Sequence, residues 1–409
     1  MIRLDKICEK LIWLLTLMFV VSFYLFVNET WGRYLYFGTA ICIFVLTIIR
    51  FKGVISFALG WFHLSLLLFA VYSLVSVLWA WDSSAAISKF QTLMSILVCY
   101  SLIYPYYSNR HAVEELLNII MWAGYVIAIY SIYYYGIEAI RMAAYELTMR
   151  LDNSYNNINS ISMLCAFACV IQVDRMAKER VSLTSLLLIP CIVIITAGQC
   201  RKALIILTSG ILLIFIIKNL QAKDLIQKVV RVLLVLAGFA ILVFLLSRLR
   251  IFGGVNQRIE RLIVSFTGHG KADHSSIIRV KMFEIGLQQF LKDPFWGIGI
   301  GSSHVLTNTY LGVNTYLHNN YIELLACGGI FGAMLYYTPY LALGKTFFKR
   351  RCFEKSGTTI CAILLLLLLM WDVGAVSYNT KIRYLFMMIF FIQADRLKYT
   401  EKNSRYNKV

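Results

Sequence analysis

The chain has 409 residues, of which 60% are hydrophobic and 15% charged, with only four prolines. Soluble domains carry about a quarter charged residues, so this composition excludes a soluble enzyme and a soluble binding module. Lys and Arg number 39 against 21 Asp and Glu, a net charge of +18, but the excess sits in short segments between apolar runs. It therefore reads as membrane topology, and no nucleic-acid partner is expected.

The first apolar run starts at Leu11, after Arg3, Lys6 and Lys10. It resembles a signal sequence, yet no small-x-small cleavage site follows before Asn28 and Glu29, so it is expected to stay as the first membrane helix. With about 20 apolar residues per crossing, spans fall near 11–27, 34–49, 54–80, 90–107, 116–136, 158–173, 181–197, 202–218, 229–247, 319–342, 358–376 and 383–395. The fold class is thus an all-α integral membrane protein of about twelve transmembrane helices. Lys89 at the edge of the fourth and the short apolar stretch of the last make these two the weakest spans.

Orientation follows from Lys and Arg, which are retained on the cytoplasmic side. Arg50 with Lys52, Arg175 with Lys178 and Arg180, the Lys345 to Lys355 segment and the tail from Arg396 alternate with poorer connections. This pattern puts both termini in the cytoplasm. The ten cysteines form no C-x-x-C pair and lie mostly within apolar runs, so neither a zinc site nor a disulfide framework is read. Without internal repeat or linker, residues 1–409 read as a single polytopic membrane domain.

Between the ninth and tenth spans, residues 248–317 form one large extracytoplasmic loop. Val280, Phe283, Leu287, Phe290 and Leu291 recur there at helical spacing, Ser275 and Ser276 suit a start, and Asp293-Pro294 a stop. An amphipathic helix is expected, its apolar stripe against the outer membrane face or the bundle. The Gly297-Ile298-Gly299-Ile300-Gly301 run lacks a preceding strand and a Gly-Lys-Ser/Thr, so it is given a turn role and no cofactor is expected. His269 and His274 lack a carboxylate or Cys set, and no metal site is expected.

Charged groups near bilayer depth need a partner, a watery cavity or a function. Arg201 falls in Gly198-Gln199-Cys200-Arg201-Lys202, at the outer start of the eighth span; standing alone, it is most simply a snorkelling interfacial side chain. Arg279 lies in the first turn of the loop helix, where a solvated polar face is an equal reading. His318 opens the tenth span in Leu317-His318-Asn319-Asn320-Tyr321-Ile322-Glu323, where the positive end of the helix dipole favours a neutral ring. An ordinary interfacial histidine is the plainer reading of it in isolation. Glu323 is placed to orient the His318 region, while His63 and Asp372 read as buried singles satisfied inside the bundle.

Together, two arginines and a neutral imidazole from three segments are expected at similar depth on the outer side. Arg grips phosphate oxygens bidentately and never loses its charge, and an imidazole accepts a proton from a hydroxyl, so the set suits a diphosphate and an attacking sugar. The catalytic expectation is His318, Arg279 and Arg201, with Arg201, Arg279, Asn319, Lys202 and Arg258 as substrate-binding side chains. A lipid-linked oligosaccharide transporter is the alternative from another class. It would place charges near the midplane in broken helices with matching halves, whereas here they cluster outside and the halves differ.

The segments T-A-G-Q-C-R-K-A-L around Arg201, R-x-x-M-F-E-I-G-L-x-x-F-x-x-D-P-F-x-G-I-G from Arg279, and L-H-N-N-Y-I-E-L-L-A-C-G-G-I-F-G from Leu317 resemble the O-antigen ligase and O-antigen polymerase superfamily of bacterial envelope proteins. The resemblance covers most of the second half of the chain. It implies a metal-independent glycosyltransferase of the bacterial cytoplasmic (inner) membrane, active on the extracytoplasmic side with an undecaprenyl-diphosphate-linked glycan as donor. The family's functional arginines carry over onto Arg201 and Arg279 and its histidine onto His318, although Cys200 stands where members carry Ser or Thr. A polymerase of O-antigen, capsule or exopolysaccharide repeats is slightly favoured over a ligase to lipid A core of lipopolysaccharide. The implied partners are the lipid bilayer, the glycan donor and acceptor, a flippase and a chain-length regulator.

Overall fold

A computed structural model describes residues 2–26, 29–54, 60–146, 151, 156–178, 182–219, 227, 229–238, 253, 256–257, 274–349 and 357–406. All regular structure among them is helical. The first half contains α1 (Ile2–Leu25), α2 (Thr30–Arg50), α3 (Trp61–Val75, prolonged by a 3-10 turn to Leu78), α4 (Ser83–Asn109), α5 (Val113–Tyr135), α6 (Ile137–Tyr145) and α7 (Ile158–Lys178). There follow α8 (Leu188–Ala197), α9 (Arg201–Asn219), α10 (Val229–Gly238), α11 (His274–Lys292), α12 (Ser303–Leu311), α13 (Asn320–Phe347), α14 (Thr358–Asp372) and α15 (Lys381–Tyr406).

Among the described residues eight helices, α1 to α5, α7, α9 and α13, are long and apolar enough to cross a membrane. The other expected spans also fall on helix where they are described, residues 239–247 of the ninth lying outside the described residues. The 183–197 segment, α10 and α14 are apolar but shorter, and α15 carries Lys381, Arg383, Asp395, Arg396 and Lys398 along its length. The short helices α6 and α12 occupy connections that a count of apolar runs passes over.

The chain divides into two compact units: Met1–Thr16, Phe37–Leu116 and His274–Val409 form the first, and Leu17–Tyr36 with Leu117–Asp273 the second. In the first unit α13 is the organising element. Gly329 interrupts it with φ 59° and ψ −165°, a conformation open to glycine because it has no Cβ. A Cβ there would come within 2.2 Å of the Phe295 carbonyl oxygen. The amides freed by the kink are not lost, since Ile330 N–H donates to Pro294 O at 2.8 Å and Phe331 N–H to Phe295 O at 3.4 Å. The Gly-Ile-Gly-Ile-Gly run continues that segment as a close-packed turn, as its sequence suggested. Gly299, at φ +92°, lies so near Ala80 that a Cβ would meet the alanine methyl at 2.3 Å.

The expected loop helix is α11, and it stops before Pro294, with Asp293 N–H donating to Gln289 O and Gln289 Nε2 to Asp293 Oδ2. Its packed face differs from the expected stripe. Met282 joins a core with Ile298, Leu306, Leu317, Ile322 and Ala326, flanked by Ile278 and Ile285, while Val280, Phe283, Leu287 and Leu291 are exposed. Periodicity identified an apolar line correctly but not which side of the helix protein covers. Gly286 decides it: a Cβ there would stand 2.3 Å from Ile322 Cγ2, so the thin side of the helix is the one that docks.

In the second unit, α7 packs on α8 and α9. Gly124 of α5 brings that helix against α7 closely enough that a Cβ would lie 2.4 Å from the Ala168 methyl. The described part of this unit supplies the start of α9, where Arg201 stands.

Candidate functional site

The turn before α13 is built around an unusual backbone. His318 has φ +56°, a left-handed conformation that costs a side-chain-bearing residue about 1–3 kcal/mol and persists only where its surroundings over-determine it. Here both neighbours are tied down. Leu317 N–H donates to Glu323 Oε2 at 3.0 Å, and the Asn319 side-chain oxygen accepts from Tyr321 and Ile322 N–H at 3.0 and 3.1 Å, capping the helix. Buried Glu323 also accepts from the Ser303 hydroxyl at 2.5 Å, which links α12, the turn and α13. Glu323 therefore orients the His318 region as expected, through the backbone of the preceding residue.

His318 precedes the cap rather than opening the helix, and Asn319, expected to bind substrate, uses its side-chain oxygen as that cap. The half-buried imidazole faces Tyr316, with ring centroids 4.3 Å apart and planes at 51°. Arg279 approaches the same tyrosine from α11. It lies seven residues before Gly286 and so on the same side of its helix, the side that packs on Leu317 and Ile322. Burial pushes the Tyr316 phenol up, and the Arg279 guanidinium pulls it the other way. The first unit thus brings Arg279 and His318 into the surroundings of one aromatic side chain.

Beneath this turn lies a buried polar system. Asn320 accepts from Ser377 and Tyr378 N–H at 2.9 and 3.0 Å and donates to Tyr337 Oη at 2.9 Å. Tyr337 in turn donates to Asp372 Oδ2 at 3.0 Å. Asp372 pairs with fully buried Arg383, whose Nη2 lies 2.7 Å from Oδ2 and whose Nη1 bonds Oδ1, while Nε donates to Tyr340 Oη at 2.6 Å. Paired and hydrogen-bonded, these charges are tolerable away from water. The expectation that Asp372 is satisfied inside the bundle holds. Arg383, the first residue of the last expected span, is its partner, and the available signal was a carboxylate and an arginine flanking one short turn at bilayer depth.

A second polar pair was not singled out by sequence. Asp82 caps α4 by accepting from Ser84 and Ala85 N–H at 2.9 and 3.0 Å, and its Oδ2 stands 3.0 Å from His304 Nε2. His304 Nδ1 lies 3.0 Å from the Gly301 carbonyl, and Asp82 N–H donates to Ser302 Oγ at 3.2 Å. The Ser84 hydroxyl and the Ala85 amide hold the Asp82 carboxyl below its usual range. The contact fixes the start of α4 to the segment that precedes α12.

In the second unit, Arg201 begins α9 and Lys202 follows, both half-buried. The turn before them also contains a left-handed residue, Gln199 at φ +47°. Its buried side chain donates to the carbonyls of Ala143 and Glu146 at 2.8 Å each, satisfying the end of α6. Gly198 fits where a Cβ would touch Ser162 Oγ at 2.5 Å. Arg201 is therefore presented from a locked turn at a helix N-terminus, a place where backbone amides favour anions. Arg258 lies outside the described residues, as does His269. Among the described residues no three His, Cys, Asp or Glu side chains gather as a metal site.

Residues 185–337 match the family described as O-antigen ligase, so the resemblance read from the second half of the chain holds over that stretch. Arg201, Arg279 and His318 all fall inside it. No curated protein matches the chain.

Proposed function

We propose that a membrane protein whose residues 185–337 follow the O-antigen ligase pattern is a glycosyltransferase that joins undecaprenyl-diphosphate-linked oligosaccharide repeat units on the outer face of the cytoplasmic membrane. The observation that carries this reading is that His318 packs on Tyr316 and that the Arg279 charge acts on the same phenol. His318, on a turn fixed from both flanks, accepts the proton of the acceptor hydroxyl as its oxygen attacks the anomeric carbon. The bond from that carbon to the diphosphate oxygen breaks with inversion, and the lipid diphosphate departs carrying the bonding pair. Arg279 and Arg201 hold and neutralise it, a task for fixed positive charge that needs no proton transfer and no metal. Twelve crossings with both termini in the cytoplasm would place these side chains on the extracytoplasmic side.

The family description favours a second reading, transfer of the finished glycan to lipid A core or another acceptor by the same chemistry. Purified protein in vesicles, given only lipid-linked repeats, is expected to yield products of two or more repeats; products formed only when core acceptor is added would make it the ligase. Lipid movement across the vesicle without any new glycosidic bond would overturn both and leave a transporter.

A further inference from the structure

We infer that α11 is embedded among lipid acyl chains on the His318 side of the membrane rather than standing in an aqueous loop, with lipid covering its Val280–Phe283–Leu287–Leu291 face. The helix has two apolar sides. Ile278, Met282, Ile285 and Gln289 pack on the protein, whereas Val280, Phe283, Leu287 and Leu291 are 50%, 44%, 38% and 69% exposed. Spacings of three, four and four residues put these side chains on one line opposite the packed face. A contiguous apolar face of this kind is rare in water and ordinary in lipid.

Depth is set by the residues that follow the helix. The Trp296 carbonyl accepts from Tyr72 Oη at 3.4 Å and from Trp79 Nε1 at 3.3 Å. Tyr72 lies within Trp61–Leu78, a segment long and apolar enough to cross the membrane, and its hydroxyl also donates to the Gly328 carbonyl at 2.5 Å. The end of α11 is thus fastened level with the last turns of a spanning helix. Past Lys292 and Asp293, exposed Phe295 and Trp296 lie against exposed Phe331 of α13, with ring centroids 6.1 and 4.9 Å apart. That contact with the exposed side of α13, a helix long and apolar enough to cross the membrane, selects acyl chains as the occupant over a second protein.

The polar positions agree. Lys281, Gln288 and Lys292 share one flank, and Lys292 reaches back over the Tyr310 ring, 5.8 Å from its centroid, as a snorkelling lysine does. Arg279 stands on the other flank in the shallow turns beside Tyr316. On the glycosyltransferase reading, lipid fixes the depth of the helix and so holds this guanidinium at the level of lipid phosphates.

The test uses the full chain in vesicles of phosphatidylcholine and phosphatidylglycerol, with an apolar aryl diazirine that partitions into the acyl region. Photolysis and peptide mapping are expected to find carbene insertion at Phe283, Leu287 and Leu291 comparable with that at Leu67 and Leu68 of α3, and background insertion at Met282 and Gln289. Labelled α3 beside unlabelled α11 would overturn the inference, whether water or a second protein covers the stripe. No substrate is needed, so that result leaves the glycosyltransferase reading untouched. A labelled helix in a protein that joins no repeats would sustain the inference and remove only that reading.

Discussion

The turn before α13 and the turn before α9 solve the same backbone problem in opposite ways. In each, a residue other than glycine is held with positive φ, His318 at +56° and Gln199 at +47°. At the first, the strained residue carries the imidazole proposed as the base, and its neighbours do the holding through Glu323 and the Asn319 cap. At the second, the strained residue is itself the brace, with both side-chain donors spent on α6 carbonyls, and Arg201 follows two positions later. One turn keeps its chemistry free by borrowing support; the other gives up a side chain to supply it.

His318→Gly acts on the first turn and has the largest expected effect. Glycine adopts the same backbone without strain, and the relief is offset by its greater freedom when unfolded, so thermal stability should change by no more than about 1 kcal/mol. Repeat joining should nevertheless fall by about 10²–10⁴, the usual worth of a general base; retained activity in a product assay would remove His318 from the chemistry. Arg279→Lys keeps the charge but loses the planar fork, and should cost about tenfold in kcat/KM or more, with an unchanged melting curve. Equal rates for the two would argue against a bidentate grip.

Gln199→Ala acts on the other turn. Removing the donors of the buried Ala143 carbonyl and the partly buried Glu146 carbonyl should lower stability by about 1–3 kcal/mol, seen as a lower melting temperature in detergent, whereas replacement of a solvated side chain would leave it unmoved. The smallest effect belongs to Asp82→Ala, which deletes a helix cap worth about 1 kcal/mol. Because the folded-state carboxyl lies below its ordinary value of 3.8, the capping contribution is present above that pH and is lost as the pH falls through the depressed value. The gap in melting temperature between wild type and Asp82→Ala should therefore close in acid; a constant gap would show that the carboxylate charge is not what holds α4.

Much of this architecture was legible because apolar length is a one-dimensional property. Where the expected spans are described they fall largely on helix, and the Asp293-Pro294 stop ended α11 where it should. What sequence periodicity could not supply was the side of a helix that protein covers, since Val280 and Met282 are equally apolar and only the close approach at Gly286 separates them. Pairing was equally hidden. Asp372 and Arg383 meet because α14 and α15 turn back on each other, and a scan for charged residues sees each alone. His318 was found from its neighbours in sequence, but its left-handed backbone and its contact with Tyr316 arise from tertiary support by Glu323.

The break in α13 at Gly329 has a consequence for biogenesis. A helix entering lipid with open amides is penalised by several kcal/mol for each group left unsatisfied, and Ile330 and Phe331 would arrive in that state if their acceptors were made later. Pro294 and Phe295 precede them in the chain, so the carbonyls that complete the broken helix have already left the ribosome when it emerges. Moving this segment downstream of α13, as in a circular permutant, would leave the helix to insert before its complement existed.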